Sequence, residues 1–195
     1  MTLKNKAVLV TGADGFIGSH LVETLVKYGA HVRAFCLYNS NGSYGWLNNA
    51  SADIQTSIDF RLGDIRDKQF VEDSCRGIEY VFHLAALIAI PYSYMAPESF
   101  IDTNVKGTLN VLEAVRKHGC HRMIQTSTSE VYGTPHEIPI KETHQLRPLS
   151  PYGVSKVFGH LITINYRESY SMFACSGILF NHESPLRGLE FVTRK

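Results

Sequence analysis

Apolar and polar positions along this chain alternate between two periods. Short apolar runs of strand length recur at residues 7–10, 31–37, 58–61, 80–84, 121–126 and 172–180. Between them, apolar residues repeat at helical spacing. Residues 16–28 place Leu21, Leu25 and Val26 on one side, and Gly29 follows where a helix C-terminal glycine commonly stands. Further helical stretches cover 67–75, 97–118 and 151–170. The polar, glycine-containing stretch 38–57 reads as a loop. Six strands with intervening helices predict an α/β, Rossmann-like, doubly wound parallel sheet with flanking helices. Right-handed crossovers put the carboxyl ends of its strands on one edge, where ligands bind.

Size and composition narrow the class. At 195 residues the chain suits one domain or a little more. It is 44% hydrophobic and 19% charged, with a formal net charge of +1. That balance gives no electrostatic reason to expect nucleic acid or an anionic membrane as partner. The longest apolar run, 81–90, holds His83, ends at Pro91 and is too short to span a bilayer. No charged-then-apolar signal segment opens the chain. Cys36, Cys75, Cys120 and Cys175 form no CxxC pair, which reads as free thiols in a reducing cytoplasm. The nine histidines show no metal-ligand spacing, and no metal site is expected.

The first strand runs into Thr11-Gly12-Ala13-Asp14-Gly15-Phe16-Ile17-Gly18 and then a helix. Glycine is required where backbone turns tightly, approaches a pyrophosphate or packs on a helix. The helix N-terminus offers N–H groups and partial positive charge to a phosphate. The turn is therefore a candidate dinucleotide site comprising Gly12, Asp14, Gly15, Phe16, Ile17 and Gly18. Asp64 and Ile65 follow the third strand, where a carboxylate and an N–H can read an adenine edge; the alternative for Asp64 is a carboxylate at the N-terminus of the next helix. Leu84, Ala85 and Ala86 follow the fourth strand with small side chains that let a cofactor lie close. An acid at the end of the second strand would bind a ribose 2′-hydroxyl, and an arginine a 2′-phosphate. Leu37-Tyr38-Asn39-Ser40 supplies neither, so NAD and NADP both remain open.

Downstream, Ser127-Thr128-Ser129-Glu130 precedes Tyr152-Gly153-Val154-Ser155-Lys156. Tyr152 and Lys156 stand four apart on a helix and share a face. An ammonium beside a phenol favours phenolate, which can take a hydroxyl proton while hydride leaves the same carbon. Thr128 can hydrogen-bond the reacting oxygen or cap a turn. Glu130 can act as a second base on a carbon made acidic by a neighbouring ketone, or it is a solvated loop acid.

Together these motifs resemble the extended short-chain dehydrogenase/reductases, within their nucleotide-sugar 4,6-dehydratases. From Val8 to about Tyr132, the chain is similar to the NAD-dependent hexosamine branch. Thr11 to His20, His83 to Tyr94 and Asp102 to Thr108 carry that likeness. From about Ser150 onward it resembles the GDP-mannose branch, through Ser150 to Gly153, Gly177 to Pro185 and Phe191 to Lys195. Ser129 tilts the Thr128-Ser129-Glu130 match the same way. The resemblance implies a lyase that converts GDP-mannose to GDP-4-keto-6-deoxymannose by internal hydride transfer and loss of water. Thr128, Glu130, Tyr152 and Lys156 would be catalytic, with Glu130 removing the C5 proton and Lys156 also holding the nicotinamide ribose. Ser129, Asn181, Glu183 and Lys195 would bind substrate. Arg187 lies in the same segment. The GDP-mannose likeness leans toward NADP, the hexosamine likeness toward NAD. It further implies a homodimer or homotetramer for the full-length family member. Residues 1–180 read as the dinucleotide-binding domain and 181–195 as the start of a substrate-binding segment, with most of a C-terminal substrate domain missing. A hexosamine 4,6-dehydratase, a 4-epimerase on a UDP- or GDP-sugar, and a non-catalytic dinucleotide-binding fragment are the alternatives.

Overall fold

The computed structural model describes residues 3–188. Lys195 and the stretch from Phe191 onward lie outside those residues. Six strands form one sheet in the order β3-β2-β1-β4-β5-β6, with every pairing parallel. They are β1 (Ala7–Thr11), β2 (His31–Leu37), β3 (Ile58–Gly63), β4 (Tyr80–His83), β5 (Arg122–Thr128) and β6 (Ala174–Leu179). The order reverses between β1 and β4, so the ligand crevice of such a sheet opens above their carboxyl ends.

The side-chain alternation of the strands sorts the core into two layers. Leu9, Phe35, Val81 and Met123 point to one face. There they meet α3 (Lys68–Cys75), α6 (Gly107–His118) and α7 (Pro151–Tyr170) through Val71, Val111, Leu112, Val115 and Tyr166. Val8, Val10, Val32, Ala34 and Cys36 point to the other face, against α1 (Phe16–Lys27) through Val22 and Leu25. Coverage of that second face stops short of β5, whose Ile124 is 36% exposed.

Three stretches differ from the expectation. Residues 38–57 are not a simple loop. They contain a 3₁₀ turn (Gly45–Asn49) and α2 (Ala52–Thr56). Leu47 is fully buried there, and Tyr44 stacks on Phe60 with ring centroids 3.9 Å apart. Residues 90–95 form α4 (Ile90–Met95), which the sequence pattern did not reveal. The single helix expected over 97–118 is divided into α5 (Pro97–Phe100), a π-helical turn (Ile101–Lys106) and α6. Such π turns inside α-helices are frequent at functional sites.

Among the described residues, no helix is long and apolar enough to cross a membrane, and no group of three or more His, Cys, Asp or Glu side chains could hold a metal.

Candidate active site

The glycine-rich turn is shaped by contact. Gly12 has φ +68°, and a Cβ there would lie 2.8 Å from the Ala85 nitrogen. A Cβ on Gly18 would lie 2.1 Å from the Gly12 carbonyl oxygen, so α1 packs directly on the turn. Gly15 caps α1 without a side-chain hydrogen bond, which leaves the first amides of the helix to face the space in front of them. That space is a cavity of about 640 Å³. Gly12, Asp14, Gly15, Phe16, Ile17 and Gly18 all border it. The bare backbone cradle and the helix N-terminus suit a dinucleotide pyrophosphate.

The loops after β3 and β4 border the same cavity, with Asp64, Ile65, Leu84, Ala85 and Ala86 on its wall. Asp64 accepts from the Arg66 guanidinium at both carboxylate oxygens and from the Arg66 N–H at 2.9 Å. The Arg66 hydrogen bonds hold its carboxyl below the usual range. The capping alternative falls to another residue, because Asp67 caps α3 by accepting from Phe70 N at 3.1 Å.

Two buried polar residues that the sequence reading did not single out fix the β4 loop. His83 is bonded to Thr11 at Nδ1 and to Thr108 at Nε2. Asn104, on the π turn, accepts from Leu87 N at 2.8 Å and donates to Leu87 O and to Ser155 Oγ, each at 2.9 Å. It therefore ties the β4 loop to α7. The segment Asp102 to Thr108 was visible as a family likeness, but a polar residue in a helical stretch does not announce partners elsewhere in the chain.

The acid–base groups enter from β5 and α7. Thr128 ends β5 and accepts from Glu130 N at 3.3 Å, which sets the short helical turn Ser129–Val131. Ser150 caps α7 by accepting from Gly153 N at 3.0 Å, with Pro151 in the first turn. Tyr152 thus sits at the very start of the helix, with its ring against the buried Phe100 at a centroid distance of 6.3 Å. Thr128, Ser129, Glu130, Tyr152 and Lys156 all line the cavity. The Thr128 hydroxyl acts on the Tyr152 phenol and favours its ionised form. Of the two alternatives raised for Thr128, the turn cap is seen directly.

One electrostatic expectation is corrected. Lys156 does not depress the Tyr152 phenol in this structure. Burial raises the phenol above its ordinary value, the Thr128 hydroxyl opposes this, and the Glu130 charge adds to it. Lys156 Nζ donates to the Thr126 carbonyl oxygen, and burial pushes its pKa down to about 8.

The C-terminal segment contributes unevenly. Asn181 reaches the cavity wall, and so does Arg187, whose guanidinium also lies 6.0 Å from the Phe16 ring centroid. Glu183 does not reach it. It is exposed and faces Arg187 Nε at 3.6 Å, outside the cavity. Ser184 anchors the segment to α1 through His20 Nε2 at 3.0 Å. The expected role of Lys195 falls outside the described residues.

A parallel sheet in this order, a GxxGxxG turn and a Tyr–Lys pair on one cavity define a Rossmann-type nucleotide fold of the short-chain dehydrogenase/reductase kind. Comparison with known proteins agrees. A sequence model of the family described as GDP-mannose 4,6 dehydratase matches residues 9–195, and the chain belongs to that family. It is 40% identical to a GDP-mannose 4,6-dehydratase of Yersinia enterocolitica, over 97% of this chain and 53% of the relative. Among solved structures it is similar to a UDP-N-acetylglucosamine 4-epimerase from Methanobrevibacter ruminantium, with TM-score 0.87 and 30% identity over 97% of this chain and 59% of the other. It is equally similar to a dTDP-glucose 4,6-dehydratase from Streptomyces venezuelae with NAD bound, with TM-score 0.86 and 30% identity over 96% of this chain and 59% of the other. The chain spans about half the length of the curated relatives it matches.

Proposed function

We propose that this chain carries the dinucleotide site and the acid–base groups of a nucleotide-sugar 4,6-dehydratase that acts on GDP-mannose. The observation that carries the reading is the placement of Glu130 on the same cavity wall as Tyr152, Thr128 and Lys156, beside the glycine-rich turn. Residues 1–180 would act as the dinucleotide-binding domain, with residues 181–195 opening the part that meets the sugar nucleotide. The whole protein would work as a homodimer or homotetramer in the cytoplasm.

A bound nicotinamide dinucleotide would accept hydride from C4 of the sugar and return it to C6. The protein's groups account for the protons. Tyr152 takes the C4 hydroxyl proton as the ketone forms, while Thr128 holds the reacting oxygen. Lys156, buried beneath them, offers an amine that gains or loses a proton near pH 8 and holds the nicotinamide ribose. The C4 ketone makes the C5 hydrogen acidic, and Glu130 removes it. The same carboxyl then protonates the C6 hydroxyl, which leaves as water. Returning hydride to C6 and a proton to C5 gives the 4-keto-6-deoxy sugar, with one water lost overall. Ser129 and Asn181 are the substrate-facing groups of this scheme. The lean toward NADP rests on the family likeness, and the similar Streptomyces venezuelae enzyme speaks for NAD.

A 4-epimerase is the second reading, favoured by the similarity to the Methanobrevibacter ruminantium enzyme. It needs Tyr152 but no carbon base. Substitution Glu130→Gln separates the two when the chain is incubated with GDP-mannose and dinucleotide. A dehydratase loses product formation by about a hundredfold or more, whereas an epimerase keeps its turnover. Retained turnover in Glu130→Gln with a sugar product of unchanged mass would sink the dehydratase reading.

A further inference from the structure

Phe100 is fully buried and closes α5, directly ahead of the π turn. Two tyrosine rings lean on it. Tyr152 meets it in a T-shaped arrangement, with 6.3 Å between centroids and 76° between planes. Tyr92, which borders the cavity from α4, meets it at 6.1 Å and 54°. The backbone around Tyr152 is held separately. Ser155 Oγ donates to the Tyr152 carbonyl at 2.7 Å and accepts from Asn104 Nδ2 at 2.9 Å. The Tyr94 hydroxyl donates to the Leu149 carbonyl at 2.8 Å, just ahead of the Ser150 cap. These bonds fix where α7 starts, and none of them reaches the Tyr152 ring. Thr128 acts on the phenol oxygen, while the body of the ring is held by packing. The first torsion of such a side chain has wells roughly 120° apart, so a change of well would carry the phenol away from the cavity.

We infer that Phe100 is a positioning residue for the proposed reaction: its ring blocks the swing of Tyr152 and keeps the phenol oxygen aimed at the cavity. The inference rests on the reading of Tyr152 as the base and goes beyond it by naming what aims that base. Phe100 itself does not border the cavity, so it acts through Tyr152. T-shaped aromatic pairs carry a preferred geometry as well as buried area, which an aliphatic side chain of similar size does not reproduce. A base already in place takes its proton without first losing side-chain freedom. A role in core packing alone would give lower stability on substitution and no change at the phenol.

Tyrosine isotope-labelled at Cζ reports each phenol by NMR, and Tyr152→Phe identifies the signal. Phe100→Met keeps most of the volume and removes the ring. The expected result is that the Tyr152 signal moves and titrates at lower pH than in wild type, because water reaches a phenol that burial otherwise raises. Turnover of GDP-mannose should fall at least about tenfold in kcat, with KM within about threefold. Phe60→Leu disturbs the Tyr44 stack away from the cavity, and it should lower Tm while leaving the Tyr152 signal unmoved. A folded Phe100→Met with an unmoved Tyr152 signal, or with unchanged kcat, overturns the inference. So does an equal movement of that signal in Phe60→Leu. Absence of cross-relaxation between the Phe100 and Tyr152 ring protons in the wild-type chain overturns it whether or not any variant folds. Full turnover in Tyr152→Phe instead overturns the reading of Tyr152 as the base, and this inference with it.

Discussion

His83 Nδ1 lies 2.7 Å from Thr11 Oγ1, and this contact joins the end of β1 to the loop that follows β4. Thr11 Oγ1 also accepts from Ala85 N at 3.2 Å, so one hydroxyl ties both the ring and the loop backbone to β1. On its other side, His83 Nε2 pairs with Thr108 Oγ1 at 3.2 Å. Burial, with the Lys156 charge adding to it, pushes the His83 pKa down to about 3. The small residues after His83 are thereby held against Gly12, where the cofactor backbone would pass.

This buried neutral histidine makes the fold sensitive to acid. Its pKa is about 3 when folded against the ordinary histidine value of 6.5, so between those values the unfolded chain binds the extra proton. Stability should therefore fall as pH drops from 6.5 toward 3, by up to about 1.4 kcal/mol per pH unit from this residue. Replacing His83 by Gln removes the titration. Urea unfolding across that range should give a shallower acid limb for His83→Gln than for wild type, and parallel limbs would contradict the assignment.

Lys156 acts at the other end of the scale. Its pKa is lowered from 10.5 to about 8, so the folded chain gives up its proton before the unfolded chain does. The cost of the buried charge is full below pH 8 and is relieved as pH rises through 8 to 10.5. A tenfold change in proton affinity is worth about 1.4 kcal/mol, so the whole effect amounts to about 3 kcal/mol. Lys156→Met should gain stability relative to wild type at neutral pH, or lose least there, and fall behind progressively toward pH 10.5. A difference in Tm that stays constant over this range would count against the burial.

Asn104→Ala should uncouple the β4 loop from α7. The substitution removes three hydrogen bonds and strands the N–H and C=O of Leu87, at a cost of about 1–3 kcal/mol. Because Leu87 borders the cavity, dinucleotide affinity should weaken along with the drop in Tm. Asn104→Asp keeps the acceptor for Leu87 N and should recover part of the loss. Equal behaviour of the two variants would argue against the hydrogen-bond account.

Much of the architecture was legible because local signals agreed. The last helix begins and ends where 151–170 was expected, since Ser150 and Pro151 form a start signal and Ser171 takes a left-handed conformation at the end. The strand over 31–37 was equally clear, with an apolar run bounded by Gly29 and polar residues. The π turn was hidden, because apolar spacing does not distinguish helical bonding four residues back from bonding five back. Residues 38–57 were hidden for a different reason. Their order comes from single contacts with distant elements, such as Tyr44 on Phe60 and Trp46 on Asp14, rather than from periodicity. At the site, helical spacing put Tyr152 and Lys156 on one face, and the family resemblance joined Thr128 and Glu130 to them. It could not show that Glu183 turns toward Arg187, nor that burial rather than Lys156 sets the phenol.

Turnover in deuterated water shows whether Glu130 and Tyr152 serve one elimination on one sugar. The chain would be incubated with GDP-mannose and NAD or NADP, and the sugar nucleotide analysed by mass spectrometry and proton NMR. The expected product has lost one water, carries one solvent deuterium at C5, and is absent with Glu130→Gln. A product of unchanged mass, or a dehydrated product with no deuterium at C5, would contradict it.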